Sequence, residues 1–257
     1  MHSDDVLLAT QALTVRYGGV LAVNEVSLRV PAGRVTGLIG PNGAGKTSLV
    51  DAVTGFTPSS GEIRLRGERL DGRPAHFRAQ AGLARTWQSL ELFQDLTVRQ
   101  NVQVAARRLS IGSVLLDMVR PGRHAVEERV TVALERAGLL DAAETYPGEL
   151  SLGQRKLLGV ARALAPDPDV LLMDEPAAGL DTDESMALGD RIRSIAAAGT
   201  GVLLIDHDMG LVLDVCDEVY VLEFGALIAH GTPDSIRSND KVVAAYLGTH
   251  GTKENRS

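Results

Sequence analysis

Between residues 7 and 30, apolar and polar positions alternate with the period of two that is typical of half-buried β-strands. The predicted strands lie around Leu7 and Ala9 and over residues 13–17, 26–30 and 62–67. Glycine and proline residues mark turns at 18–19 and 31–33. We therefore expect an antiparallel sheet at the front of the chain.

From about residue 74 to residue 149, the apolar positions follow helical spacing and strand signals are few. The clearest stretch is residues 123–137, where one face of a helix is apolar and Gly138 would end the helix. That face consists of Val126, Val130, Ala133, Leu134 and Ala137. This part of the chain predicts a helical insertion.

Beyond the insertion, short apolar runs alternate with helical stretches. The runs cover residues 170–173, 201–205 and 219–222, and the helical stretches cover 185–198 and 209–215. This alternation is typical of βαβ units, so it predicts an α/β fold with a parallel sheet covered on both faces. The polar tail, residues 249–257, is expected to fray.

The segment from residue 40 to residue 47 fits G-x-x-x-x-G-K-[ST], the pattern of a phosphate-binding loop. Its residues are Gly40, Pro41, Asn42, Gly43, Ala44, Gly45, Lys46 and Thr47. A buried strand is predicted before it, over 35–39, and a helix that begins with Ser48 and ends at Gly55 after it. The glycines let backbone N–H groups turn toward phosphate oxygens, and the helix N-terminus adds partial positive charge. Lys46 would reach the β- and γ-phosphates, and the Thr47 hydroxyl would hold Mg²⁺.

Two acidic residues follow the apolar run 170–173. Asp174 is placed to hold Mg²⁺ against Thr47, and Glu175 is placed to orient or deprotonate an attacking water. The alternative is an ordinary acidic turn after a strand. The phosphate loop upstream favours the catalytic interpretation.

Ser151 and Gln154 have the spacing of a capping box, so a helix is expected to begin there. The apolar face of that helix would be Leu157, Val160, Ala161 and Leu164. The plain interpretation is a well-capped helix. The functional interpretation is an anion site at its N-terminus.

Composition narrows the choice of function. The chain has 257 residues, 44% of them hydrophobic, which suits a folded interior. No apolar run approaches the length of a membrane span, and residues 1–5 do not resemble a signal peptide. Cys216 is the sole cysteine, so no internal disulfide is possible, and we expect an inert thiol near the core. The net charge of −7 gives no bulk attraction to nucleic acid.

Taken together, these motifs make the chain resemble the ATPase subunit of an ABC transporter over about residues 6–248. Beyond the loop and the acidic pair, the resemblance rests on Gln88 at a strand end, on residues 150–154, on residues 179–181 and on His207. Residues 150–154 resemble the LSGGQ signature, with Leu152 in place of one glycine. The resemblance implies a phosphate-loop NTPase core with a parallel sheet, an N-terminal antiparallel β subdomain and an inserted helical subdomain. The implied divisions are 6–88 and 150–248 for the core, 89–149 for the helical subdomain and 249–257 for a flexible tail.

The resemblance also implies a role for each matching residue in binding ATP and Mg²⁺. Tyr17 would stack on adenine, with packing into the core as its alternative. Gln88 would contact Mg²⁺ or water and report the nucleotide state to a membrane partner, and His207 would bind the γ-phosphate. The remaining residues would act across a dimer of cassettes. Ser151, Gly153 and Gln154 would cap the ATP of another subunit, and Asp181 would lie near the opposite site.

Residues 85–88, Arg-Thr-Trp-Gln, resemble the Arg-Thr-Phe-Gln of ATPases in branched-chain amino acid importers. Residues 151–154, 176–180, 225–231 and 245–248 fit the same group, of which this chain resembles the larger of two different ATPases. The implied partners are transmembrane permeases, a second ATPase and an external solute-binding protein, with the chain peripheral on the cytoplasmic face of the membrane. The solute would be a branched-chain amino acid or a related small amide. An apolar set could line a permease groove or pack into the helical insertion: Leu90, Leu92, Phe93 and Leu96.

Three alternatives stay open at this point. A lipopolysaccharide-export ATPase has a similar short cassette, but the resemblance there is to Leu-Pro-Gln rather than to residues 85–88. DNA-repair or ribosome-associated cassettes usually add a long coiled coil or a second cassette, and neither is seen in this sequence. A catalytically dead regulatory subunit would be expected to lack some of the residues Lys46, Asp174, Glu175 and His207, which are all present.

Overall fold

The computed structural model describes residues 6–87, 91–106 and 123–250. Gln88 and Leu90, both named above, lie outside the described residues, as does the predicted tail beyond residue 250. Among the described ranges, no helix is both long enough and apolar enough to cross a membrane.

An antiparallel sheet forms the N-terminal layer, as the alternation predicted. Its strands are β1 (Val6–Tyr17), β2 (Val20–Pro31), β4 (Ser60–Leu65) and β5 (Glu68–Arg69), in the order β2-β1-β4-β5. β1 is continuous where the sequence suggested two strands, because it passes through a bulge. Ala12 has a φ of +47°, and the pairing with β2 shifts between Thr10 and Leu13.

The second sheet is parallel except at one edge. Its strands are β3 (Val35–Ile39), β6 (Leu83–Arg85), β7 (Val170–Asp174), β8 (Gly201–Ile205), β9 (Glu218–Glu223) and β10 (Ala226–Gly231). The order is β10-β9-β3-β8-β7-β6, and β10 alone runs antiparallel to its neighbour. β6 lies within the stretch predicted to be largely helical, and β10 was not among the predicted strands. The carboxyl ends of β3, β7 and β8 meet at one edge.

Helices cover the parallel sheet and form the insertion. They are α1 (Lys46–Thr54), α2 (Ala75–Gln80), α3 (Val98–Ala106), α4 (Arg123–Ala137), α5 (Leu152–Leu164), α6 (Thr182–Ala197), α7 (Met209–Val215), α8 (Pro233–Arg237) and α9 (Asp240–His250). Helices α3, α4 and α5 pack against one another. Gly138, with a φ of +70°, follows the end of α4 as predicted. α6 begins earlier than predicted because Asp181 caps it, accepting a hydrogen bond from Glu184 N at 2.8 Å.

The core has one part on each face of the parallel sheet. Leu171 and Met173 pack with the helices, whereas Val170 and Leu172 pack toward α1 and the antiparallel sheet. Alternate residues of a buried strand therefore serve opposite layers, which explains its uniformly apolar sequence. Cys216 is buried with the first group, and burial raises the pKa of its thiol, in agreement with the expected inert cysteine.

Two apolar residues of the insertion take different positions. Leu92 is half-buried and packs against the core, whereas Phe93 is 45% exposed, with the Arg162 guanidinium 5.2 Å from its ring centre. Core packing therefore applies to Leu92 and not to Phe93, and a permease groove at this segment stays a prediction.

Arg78 ties the helix after the phosphate loop to the neighbouring helix α2. It is buried, and its Nη1 donates to the carbonyl oxygens of Ala52 at 2.7 Å and Val53 at 2.8 Å. These carbonyls belong to the last turn of α1, where intrahelical donors run out. A cation at this end also opposes the negative pole of the helix dipole.

Replacing Arg78 by Met should lower the free energy of unfolding by about 2–4 kcal/mol, because buried carbonyls lose their donors. Urea denaturation would measure the loss. The matched control is Arg99→Met, which removes an exposed ion pair to Glu144 and should cost under about 1 kcal/mol. Equal losses in the two variants would contradict the capping role.

Candidate functional site

The phosphate loop leaves β3 and enters α1 through a tight backbone path. Gly43 and Gly45 have φ values of +82° and +100°, a region that favours glycine. A Cβ on Gly45 would lie 2.2 Å from the carbonyl oxygen of Ala22, and one on Gly40 would lie 2.2 Å from that of Leu222. The loop is thus pressed against β2 on one side and β9 on the other, which fixes its curvature.

Lys46 is the cation of this loop. Its Nζ donates to the carbonyl oxygens of Gly40 at 2.6 Å and Pro41 at 3.2 Å, and the side chain is buried. Burial lowers the pKa of Lys46, while the negative charges of Glu175, Asp174 and then Asp206 oppose that change. The ammonium group therefore lies within electrostatic reach of three carboxyl groups.

A cavity of about 400 Å³ opens beside the loop. It is lined by residues 42–48, by Glu175, by residues 20–22, and by Phe224 and Gly225. The structure thus brings Asn42, Lys46, Thr47 and Ser48 together with the predicted catalytic acid. Tyr17 is 48% exposed, with its hydroxyl 3.3 Å from Thr57 Oγ1, so packing into the core is wrong for this ring.

Acidic residues follow the ends of β7 and β8. Glu175 has a φ of +48°, and its N–H donates to the Ile205 carbonyl at 2.7 Å, which joins the two strand ends. A residue with a side chain adopts this conformation at a cost of about 1 kcal/mol or more, a feature that clusters at active sites. His207 Nδ1 lies 3.6 Å from Glu175 Oε1 and 3.5 Å from Asp206 Oδ1.

Asp206 is a site residue that the sequence analysis missed. It is 1% exposed and accepts hydrogen bonds from the N–H groups of His207 at 2.8 Å and Asp208 at 3.0 Å. Burial raises the pKa of Asp206, and these hydrogen bonds oppose the rise. Its position after an apolar strand, directly before His207, was the available signal.

Arg85 is a second missed residue. It ends β6, and its guanidinium contacts Asp51 of α1 at 2.5 Å and Asp174 of β7 at 2.8 Å.

Asp174, Glu175 and the Thr47 hydroxyl present hard oxygen atoms, the donor type that Mg²⁺ prefers. The donor chemistry at these positions therefore fits the metal that the sequence implies.

The predicted capping box is present at the start of α5. Ser151 Oγ accepts from Gln154 N at 3.2 Å, and Gln154 Oε1 accepts from Ser151 N at 3.0 Å. Ser151 Oγ and Gly153 N in turn donate to Glu184 Oε1, at 3.1 and 3.2 Å. This helix start therefore holds an anion, the carboxylate of Glu184.

The predicted residues thus fall into two groups. Residues 42–48 of the loop and of α1, among them Lys46 and Thr47, line one cavity with Glu175, and Asp174 and His207 lie at the same edge of the sheet. The other group is joined through α6 and consists of Ser151, Gly153, Gln154 and Asp181. Leu152 is 38% exposed, so its side chain does not fill the helix start.

Substituting alanine at Gly45 and at Gly43 should have different effects. Both positions have positive φ, but a Cβ on Gly43 meets nothing within 4 Å, whereas one on Gly45 collides with backbone. Gly45→Ala should lower ATP affinity by about 100-fold or more, and Gly43→Ala should show mainly a strain cost of about 1 kcal/mol. Calorimetric titration with ATP and thermal unfolding would compare them. Equal effects would show that the close approach to Ala22 is unimportant.

Comparison with known proteins gives matches over most of the chain. A family model described as ABC transporter matches residues 23–178, and one described as branched-chain amino acid ATP-binding cassette transporter matches residues 226–252. The chain is 40% identical over 249 residues to the high-affinity branched-chain amino acid transport ATP-binding protein LivG of Salmonella typhimurium, covering 94% of this chain and 98% of that protein. It is 41% identical over 251 residues to the corresponding protein BraF of Pseudomonas aeruginosa, with the same 94% and 98% covered.

A solved structure agrees with these matches. The crystal structure of the ADP conformation of an ATP-binding cassette of an ABC transporter aligns with a TM-score of 0.83 at 29% identity, covering 95% of this chain and 99% of that one. The motif order expected from the sequence is therefore accompanied by the expected fold. The chain belongs to the ABC transporter family, as one of its ATP-binding cassettes.

Proposed function

We propose that this chain binds and hydrolyses ATP to drive an importer of branched-chain amino acids or related small amides. The observation that carries the hydrolytic part is the cavity shared by the phosphate loop, Lys46 and Glu175. The match over residues 226–252 and the two relatives named for branched-chain amino acid transport support the choice of solute. The chain would act on the cytoplasmic face of the membrane, beneath its permeases.

The loop binds the phosphates through backbone N–H groups and through the Lys46 ammonium. This ammonium is buried, and its hydrogen bonds to the carbonyl oxygens of Gly40 and Pro41 hold it beside the loop. Tyr17, exposed beside Thr57, offers an open ring face for adenine. Bound Mg²⁺ would neutralise phosphate charge, held by Thr47 and Asp174 together with Gln88.

Glu175 takes the proton from the attacking water. Its strained backbone fixes where the carboxylate points, and the hydrogen bond to Ile205 keeps it at the edge of the sheet. His207, 3.6 Å from this carboxylate, would hydrogen-bond the γ-phosphate. Lys46 then stabilises the negative charge that develops on the phosphate oxygens.

The second group of residues would serve a partner cassette. Ser151 and Gly153 direct a hydroxyl and an amide at one anion, with Gln154 bracing the turn. A γ-phosphate from the other subunit would take the same donors, and Asp181 would lie beside it. The carboxylate of Glu184 at this position supports an anion-binding role. The importers that this chain resembles pair two different ATPases, so we propose a heterodimer.

A groove beside β6 is the proposed permease surface. It encloses about 530 Å³, and its lining is mostly apolar. Phe56 and Trp87 lie at this groove, are 57% and 55% exposed, and form an edge-to-face pair at 5.2 Å. Exposed aromatic pairs of this kind are typical of protein interfaces. A helix of a permease would occupy this groove, and the second ATPase and an external solute-binding protein would complete the importer.

Glu175→Gln should retain ATP affinity within about threefold and lose at least about 100-fold in turnover, because the amide cannot accept the water proton. Steady-state phosphate release with Mg²⁺, together with ATP titration, would measure both. Glu135→Gln, an exposed position on α4, is the matched control and should match the unsubstituted protein. Near-normal turnover in Glu175→Gln would refute this choice of base.

The partners can be tested by recovery from membranes. Tagged Glu175→Gln, expressed in its native host, is solubilised with ATP present and its companions are identified. We expect two permeases, a second ATPase and a solute-binding protein, whose ligand can then be titrated. Recovery of envelope-export components, or of DNA or ribosomes, would overturn the importer assignment and leave the ATPase assignment standing.

A further inference from the structure

Arg85 connects three parts of the molecule that are far apart in sequence. Its side chain is 9% exposed, and its two terminal nitrogens contact Asp51 on α1 and Asp174 on β7. The Asp174 side chain is 8% exposed. A buried carboxylate with one oxygen engaged by a guanidinium has little rotational freedom. Arg85 therefore fixes the orientation of the residue proposed to hold Mg²⁺.

The same guanidinium covers an aromatic ring at the surface. Its central carbon lies 4.8 Å from the centre of the Trp87 ring, within the range of a cation–π contact. Trp87 in turn pairs with Phe56 at the proposed permease groove. An uninterrupted series of contacts thus runs from Asp174, through Arg85, to an exposed tryptophan.

We infer that Arg85 is a positioning residue that fixes Asp174 and couples its state to Trp87 at the groove. This inference rests on the proposed function, since it assigns the groove to the permease. Any change in the position of Asp174 shifts the guanidinium, and with it the ring that the permease would contact.

The geometry requires arginine rather than lysine. The planar guanidinium contacts two carboxylates through its separate terminal nitrogens and stacks on a ring with its face. A lysine ammonium would keep the charge but lacks the planar fork and the stacking face. Arg85→Lys therefore separates the geometric role from the charge.

Trp87 is the single tryptophan of the chain, so its fluorescence reports on this contact without labelling. Emission is recorded for the full-length protein alone, with ATP and EDTA, and with ATP and Mg²⁺. In the unsubstituted protein we expect Mg²⁺ to change the emission beyond the effect of ATP alone. In Arg85→Lys this Mg²⁺-dependent change should fall at least about fivefold and kcat about tenfold, as for residues that support metal ligands.

Three further measurements keep the result interpretable. ATP affinity in EDTA should stay within about twofold in Arg85→Lys, because the loop and Lys46 are unchanged. Asp174→Asn should shift the Trp87 emission of the nucleotide-free protein, because the contacts that join residue 174 to Trp87 pass through Arg85. Arg73→Lys is the matched control, because Arg73 covers the Phe77 ring at 4.7 Å and has no ion-pair partner among the residues that the structure describes.

The inference would be overturned if the Mg²⁺-dependent change in Trp87 emission were as large in Arg85→Lys as in Arg73→Lys. The inference would also be overturned if Arg85→Lys lowered both the ATP affinity measured in EDTA and the thermal stability. Those losses would indicate a merely structural arginine. If Arg85→Lys does not fold, an unchanged Trp87 emission in Asp174→Asn contradicts the coupling. An unsubstituted protein without ATPase activity would instead refute the proposed function.

Discussion

The edge at which β3, β7 and β8 end is the constraint on which the site depends. Parallel neighbours finish on the same side of a sheet, so these strands deliver their following residues to one place. Lys46, Asp174, Glu175 and Asp206 arrive there from distant parts of the sequence. Buried charges are tolerated only when they are paired or hydrogen-bonded, so the sheet and its ionic network stabilise each other.

Features decided by a short segment could be predicted from the sequence. The start of α5 follows from the reciprocal bonds of Ser151 and Gln154, and the end of α4 follows from Gly138, which adopts positive φ. The phosphate loop is similar, since its glycines are required by the backbone path itself. In each case the determining groups lie within a few residues of one another.

Features that depend on folding could not be predicted in the same way. Arg85 contacts residues 34 and 89 positions away, and Ser151 contacts a residue 33 positions away, so no local pattern marks these pairs. β10 was not predicted from the sequence for another reason. Its side chains are half-buried or exposed throughout, which leaves no alternation to detect. The bulge at Ala12 likewise interrupts the period of β1 without ending the strand.

The contact between α5 and Glu184 bears on how a cassette dimer would close and open. In the proposed arrangement, a nucleotide anion reaches Ser151 and Gly153 only by exchange with a carboxylate of the same chain. The free energy gained when the nucleotide binds is then the difference between the binding free energies of the phosphate and of the Glu184 carboxylate at these donors. A triphosphate carries more charge than a carboxylate, so in this arrangement it would displace Glu184. Once hydrolysis removed the γ-phosphate, Glu184 would regain its donors, so a contact within the subunit itself would favour reopening.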